Sequence, residues 1–126
     1  MRAAPGLSAF AIVIQVLLAL GCASAEERRA ARTGPVSVEV TNHNFLDANV
    51  YAVAGGQAVR LGTVTTNSTQ TFEVPPAIPL THDLRFLVDP IGSSGAFLSD
   101  EIVVTGGETV ELVIQPNLDL STVSVR

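Results

Sequence analysis

The chain has 126 residues, a length that supports one domain rather than two. From Val36 to Arg126 it carries three arginines, no lysine and ten acidic residues, and three positive charges against ten negative ones give a net charge of −7. That charge argues against a nucleic-acid partner, whose phosphates need a basic surface, and it disfavours adsorption to anionic lipid headgroups.

The N-terminus has the layout of a secretory signal peptide. Arg2 gives a positive start, and residues 7–20 are apolar apart from one serine and one glutamine. The only cysteine of the chain, Cys22, follows this run directly after a glycine. Residues 1–22 are therefore predicted to be a signal peptide or an apolar membrane-anchor helix.

Three fates of this leader are open. The sequence LALGC, which ends at Cys22, resembles the bacterial lipobox, in which a signal peptidase cuts before a cysteine that carries lipid. The lipobox prefers leucine three places before the cysteine, where this chain has Ala19. Alternatively, the sequence ASA directs cleavage before Glu26, or residues 3–25 remain uncut as one membrane span. The position of the lone cysteine favours lipidation of Cys22.

All three fates place the rest of the chain outside the cytoplasm, and a lipid or an uncut helix would anchor it there to a membrane. Residues 23–35 have the sequence ASAEERRAARTGP, which is rich in charge and ends in Gly-Pro. We predict that they form a tether, which extends on the order of 40 Å when fully stretched. Residues 36–126 are predicted to be the folded domain.

From Val36 onward, apolar and polar residues alternate, a pattern typical of strands with one buried face. In chain order the alternating segments are VSVEVT, NVYAVA, QAVRLGTV, QTFEV, DLRFLVD, AFLSDEIVVT, TVELVIQ and STVSVR. The sixth segment reads as one bent strand or two short ones. Short strands at intervals of about ten residues predict an all-β fold, a single seven- to eight-stranded antiparallel β-sandwich. An open barrel is the alternative.

The alternation also assigns side chains to the interior of the sandwich. The predicted inward residues are Val36, Val38, Val40, Leu84, Phe86, Val88, Val110, Leu112, Ile114, Val123 and Val125. Their neighbours in sequence, such as Arg85, Leu87 and Glu111, are predicted to face outward.

The segments VYAVAGGQAVRLGTV and IVVTGGETVELVIQ resemble elements of transthyretin-like and carboxypeptidase-regulatory-like sandwiches. They are also similar to small bacterial exported domains of the same layout. In both segments a glycine pair connects two apolar strands. The resemblance implies an immunoglobulin- or transthyretin-like sandwich that acts as a structural or interaction module, and it carries over no functional residue.

Catalytic and metal-binding motifs are missing from the sequence. His43 and His82 are isolated, and the predicted domain has no cysteine to join them, whereas a zinc site needs three or four ligands. Four acidic residues flank predicted loops without the spacing of a calcium-binding loop; they are Asp89, Asp100, Glu101 and Glu108. We therefore predict no enzymatic activity, no cofactor and no metal.

The best candidates for a protein contact surround the loop NHNFLDAN. Phe45 and Tyr51 flank this loop, whereas Phe72 and Phe86 fit the inward phase of their strands. His43 lies in the same loop. An aromatic side chain in a loop beside a strand edge is typical of protein contacts, and it equally fits a plug that closes one end of a sandwich.

Together these features predict a non-catalytic, membrane-tethered extracytoplasmic interaction domain. Its role would be that of an accessory or structural subunit in an envelope or membrane protein complex, with a protein partner. The alternative is a soluble periplasmic binding module for a small ligand or ion. That alternative requires a pocket lined by convergent polar groups.

Overall fold

The computed structural model describes residues 34–80 and 83–126, which form eight β-strands and one short 3₁₀ helix. The strands are β1 (Ser37–Asn42), β2 (Ala48–Ala54), β3 (Gln57–Val64), β4 (Ser68–Glu73), β5 (Arg85–Pro90), β6 (Phe97–Leu98), β7 (Thr109–Ile114) and β8 (Thr122–Val125). The 3₁₀ helix, Leu118–Leu120, precedes β8. The predicted leader with Cys22, and the predicted tether up to residue 33, lie outside the described residues.

The strands build two four-stranded sheets that share one hydrophobic core. Sheet A has the strand order β4-β1-β7-β8, and sheet B has the order β3-β2-β5-β6. Strands β1 and β7 pair in parallel, and the other pairs of the described strands are antiparallel. The predicted β-sandwich is thus confirmed, with one parallel pair inside sheet A.

The core comes from the inner faces of both sheets, as the alternation predicts. The nine residues of the triplets that begin at Val36, Leu84 and Val110 are each 2% exposed or less. Burial of one such valine, leucine or phenylalanine side chain stabilises the fold by roughly 1.5–3 kcal/mol. The further buried apolar residues are Ala48, Val50, Ala52, Ala54, Val64, Val74, Ile78 and Val104.

The prediction that Val125 points into the core is wrong, because this side chain is 37% exposed. Val123, on the same strand, is only partly buried against the core. Strand β8 is an edge of sheet A, and the edge of sheet B beside it is β6, which has two residues. With so little of sheet B opposite β8, Val125 has no layer to cover it.

The predicted sixth segment forms far less strand than its sequence suggests. After β6, the segment returns to regular pairing only at one isolated bridge, between Leu84 and Ile102. The cause is Ser99, which is buried and whose Oγ accepts a hydrogen bond from the backbone N–H of Phe86 at 2.8 Å. The same hydroxyl donates to the carbonyl of Asp100 at 2.9 Å, so the chain bends here instead of extending the ladder.

The sandwich has two ends, which the direction of β1 defines. The proximal end contains Gly34, whose carbonyl accepts a hydrogen bond from Gly107 N–H at 2.9 Å, and the turn at Gly55 and Gly56. The distal end contains the loop that follows β1, the β3–β4 turn and the segments after β5 and β7. The chain therefore enters the sandwich at the proximal end.

The corner between β3 and β4 joins the two sheets on one side. Asn67 in this turn has a φ of 53°, a left-handed conformation that asparagine tolerates better than most residues. The ring of Phe72 lies directly on Gly62, where an added Cβ would be 2.5 Å from Cε1 of the ring. Glycine at position 62 thus makes room for the aromatic ring at the corner.

Candidate functional site

The distal loop, residues 43–47, presents an aromatic side chain to solvent. Phe45 is 81% exposed, and His43 and Leu46 beside it are also exposed. A large apolar side chain at this level of exposure contributes little to the core. The loop that carries it is nevertheless held in place by side-chain hydrogen bonds on both sides of Phe45.

Asn42, the last residue of β1, forms the first group of these bonds. It is fully buried, and its Nδ2 donates to the carbonyls of Leu46 at 2.9 Å and of Val64 at 3.1 Å. Its Oδ1 accepts from the backbone N–H of Asn44 at 2.8 Å. One amide side chain therefore closes the loop onto itself and ties it to the end of β3.

Asn44 forms the second group and is 7% exposed. Its Nδ2 donates to the carbonyls of Gln115 at 3.1 Å and of Pro116 at 3.2 Å, while its Oδ1 accepts from Leu46 N–H at 3.0 Å. Both asparagines accept a bond from the N–H two residues ahead, as in Asx turns. The loop is thereby also attached to the segment after β7.

Asp47, which follows Phe45 in the chain, also attaches the loop to its neighbours. Its Oδ1 accepts from Thr66 N–H at 2.9 Å, and its carbonyl accepts from Ile91 N–H at 2.8 Å. On the near side, His43 N–H donates to the carbonyl of Ile114 at 2.8 Å. Hydrogen bonds thus fix the loop backbone on both sides of Phe45.

The segments bonded to the distal loop present both polar and apolar residues, among them Thr66 and Ile91. Ile91, bonded to the loop through its backbone, is 50% exposed. Arg85 and Arg126 sit at strand ends on the proximal side, where they pair with Glu101 and Glu39.

The structure brings two of the three predicted contact residues together. His43 and Phe45 share the distal loop, whereas Tyr51 lies half-buried on the outer face of sheet B, in register with Arg60 and Leu87. The second histidine, His82, lies outside the described residues.

Sequence reasoning missed Asn42 and Asn44, although their spacing carried a signal. Asparagines two residues apart at the end of a strand favour successive Asx turns, because each side chain can accept from the N–H two residues on. Ile91 was also missed, since nothing local connects it with the distal loop.

The acidic residues considered as calcium ligands are dispersed. Glu101 pairs with Arg85 at 2.8 Å, and Glu108 Oε2 accepts from Thr105 N–H at 2.8 Å. Within residues 34–80 and 83–126, no group of three or more histidine, cysteine, aspartate or glutamate side chains is arranged to hold a metal ion.

An apolar groove of about 360 Å³ opens at the proximal end. Glycine, proline, valine, isoleucine and leucine line it, so it has no polar side chain to orient a ligand. A second cleft, of about 370 Å³, separates the edge strands β6 and β8 and contains Asp100 and Asp119. Ser121 and Thr122 also line this second cleft, so its polar side chains distinguish it from the apolar groove.

In the part of the chain that the structure describes, no helix has the length and hydropathy needed to span a bilayer.

No protein-family model matches the chain, and no curated protein shows significant similarity to it. Among solved structures, the chain is similar to a protein from Eubacterium rectale whose structure was determined by NMR. The two are 13% identical over 72% of this chain and 87% of the other, with a TM-score of 0.48. No functional residue is transferred at this level of similarity.

Proposed function

We propose that residues 36–126 form a non-catalytic, membrane-tethered extracytoplasmic interaction domain, which serves as an accessory or structural subunit of an envelope or membrane protein complex. The observation that carries the proposal is Phe45, which is 81% exposed on a loop that hydrogen bonds fix on both sides. We assign the partner contact to this loop, with Phe45 as its anchor and His43 beside it.

The energetics of the distal loop favour a contact over a plug. Burial of a phenylalanine side chain is worth roughly 1.5–3 kcal/mol, and the fold itself gains little of this at position 45. Aromatic residues, phenylalanine among them, are enriched in protein interfaces relative to the rest of the surface. The hydrogen-bonded asparagines reduce the entropy that a partner must remove when it binds.

The described part of the chain begins at the end of the sandwich opposite the distal loop. The chain enters at the proximal end, and β1, with six residues, leads to the distal loop. A strand of that length spans about 20 Å. The proposed contact therefore lies at about that distance from Gly34.

The relation to transthyretin-like and carboxypeptidase-regulatory-like modules belongs to this proposal. It rests on the two strand–glycine–strand segments of the sequence. Modules of that kind act mostly as structural or interaction domains, which is the role proposed for this chain.

Site-specific photo-crosslinking in native membranes tests the contact. A photo-reactive phenylalanine analogue at position 45 should give one discrete adduct with a single protein. The matched control is Thr71, which is also exposed but lies on the outer face of sheet A, and it should give no such adduct. Absence of an adduct from position 45, or the same adduct from position 71, would contradict the proposed contact.

Mass spectrometry of the mature N-terminus tests the anchor. A lipid-bearing Cys22 is expected, and Cys22→Ser should release the domain from the membrane fraction or leave an unprocessed precursor. A chain that begins at Glu26 without lipid would overturn the lipid anchor, and an intact Met1 would replace it with an uncut helix.

A further inference from the structure

The outer face of sheet B carries an apolar row across three strands. Tyr51 on β2, Leu87 on β5 and Leu98 on β6 lie side by side in register, and Leu98 is 50% exposed. Val53 lies in the next row, beside Arg85. The solvent-facing side of an antiparallel sheet is usually polar, so this apolar row is a candidate surface for a partner.

The charges along β5 are arranged symmetrically about the apolar row. Along β5, the outward residues are Arg85, Leu87 and Asp89, so a positive and a negative side chain flank the central leucine at equal spacing. In the neighbouring strand β2, Val53 lies beside Arg85 and Asn49 beside Asp89. The part of the face that β2 and β5 form is therefore its own complement when it is turned end over end.

Consider two copies related by a two-fold axis through Leu87. The axis lies in the plane of the face and is perpendicular to the strands. It places Arg85 of each copy over Asp89 of the other and brings the two apolar rows together. It also places Val53 against Asn49, so no like charges meet along β2 and β5. We propose that the outer face of sheet B binds a second copy of this chain through such an isologous contact.

The remaining arginine of the face is compatible with this arrangement. Arg60 Nη2 donates to Asn49 Oδ1 at 3.0 Å and also bonds Thr63, which draws its guanidinium away from the axis toward the row of Asp89. The two copies of Arg60 are thus kept apart. Arg85 donates to Glu101 Oε1 through Nη2. Its other N–H groups are able to bond the carboxylate of Asp89 in the second copy.

The size of the face determines the strength expected of the dimer. Three strands spaced about 4.8 Å apart, each contributing about five residues at about 3.4 Å, cover on the order of 250 Å², and β6 adds only two residues. A stable interface buries about 800 Å² on each partner. The proposed dimer is therefore weak and forms only at high local concentration.

Sedimentation equilibrium of the full chain in density-matched detergent tests the proposal over about 1 µM to about 1 mM. The dimer fraction should rise with concentration, and Leu87→Glu should leave the chain monomeric. Arg85→Asp and Asp89→Arg should each weaken the dimer by about tenfold, because each places like charges in contact. The double variant restores opposite charges and should recover most of the wild-type affinity.

Glu73→Arg is the matched control. It makes the same change in charge as Asp89→Arg, but it lies on β4 at the edge of sheet A and should leave the dimer unchanged. Leu98→Glu provides a second disruptive variant at a half-exposed position in case Leu87→Glu does not fold.

A chain that stays monomeric throughout the concentration range would overturn the proposal. So would a dimer that both leucine variants leave intact, which would show that another surface holds the copies together. Phe45→Ala should not alter the dimer, so this result is separate from the outcome for the distal loop.

Discussion

The outer faces of the two sheets follow the same alternation and carry different side chains. On sheet A, Thr41 Oγ1 bonds Thr69 Oγ1 at 3.1 Å, and Arg126 pairs with Glu39 at 2.8 Å. The corresponding positions on sheet B include Leu87 and Leu98. Both faces therefore carry hydroxyl and charged groups, and sheet B has in addition a row of large apolar side chains.

The inner faces show no such difference. Val40 of sheet A and Val50 of sheet B are both fully buried, because each sheet must cover the other. The core imposes no comparable requirement on the outer positions. The packing of the core therefore does not determine which side chains the two outer faces carry.

The largest effects should separate inner from outer positions. We expect Phe86→Ala to lower the free energy of unfolding by about 3–5 kcal/mol and Leu112→Ala by about 2–5 kcal/mol, through lost burial and the cavities left behind. The outer neighbours Arg85→Ala and Glu111→Ala should each cost less than about 0.5 kcal/mol, since their ion pairs are largely exposed. Urea unfolding of the four variants measures the contrast. Equal losses at inner and outer positions would show that the faces are assigned wrongly.

The next effect concerns the distal loop. Asn42→Ala should cost about 2–3 kcal/mol, because it leaves buried backbone groups of Asn44, Leu46 and Val64 without partners. Asn117→Ala is the control, since its side chain makes one exposed bond to Asp119 N–H at 3.2 Å and should matter by only about 0.5 kcal/mol. Thermal unfolding of the two variants measures this difference. If both substitutions cost the same, the asparagine bonds do not hold the loop.

A smaller effect is expected at the corner between the sheets. Gly62→Ala should destabilise the fold by about 1–3 kcal/mol, because the new methyl group meets the ring of Phe72. Phe72→Leu should relieve this clash, so the double variant should lose less than the two single variants predict. A double-mutant cycle by urea unfolding gives the coupling free energy. Additive losses would show that the ring does not limit position 62.

The features of the fold that were predicted correctly are those that depend only on residues close together in the sequence. Strict alternation around Val38, Phe86 and Leu112 fixes which side chains face inward, whatever lies across the sandwich. Val125 follows the same alternation and is exposed, because its burial depends on the length of β6. The bend at Ser99 likewise depends on a backbone N–H of β5 that its hydroxyl reaches.

The candidate site was predictable to a similar extent. Composition and phase identified Phe45 as an aromatic residue outside the core, but they left open whether its ring is a contact or a plug. The bonds that fix the loop join Asn42 to Val64 and Asn44 to Gln115, 22 and 71 residues away in sequence. Those partners depend on how the sheets pack, which the local sequence does not contain.

The urea unfolding of Phe45→Ala, set beside that of Phe86→Ala, most directly tests the claim that the Phe45 ring is free for a contact and does not close the distal end. Because Phe45 is 81% exposed, its replacement should leave the free energy of unfolding within about 0.5 kcal/mol of the wild type. Phe86→Ala in the core should lose about 3–5 kcal/mol under the same conditions. A loss above about 2 kcal/mol for Phe45→Ala, which is typical of a buried side chain, would show that the ring closes the distal end and would contradict the proposed contact.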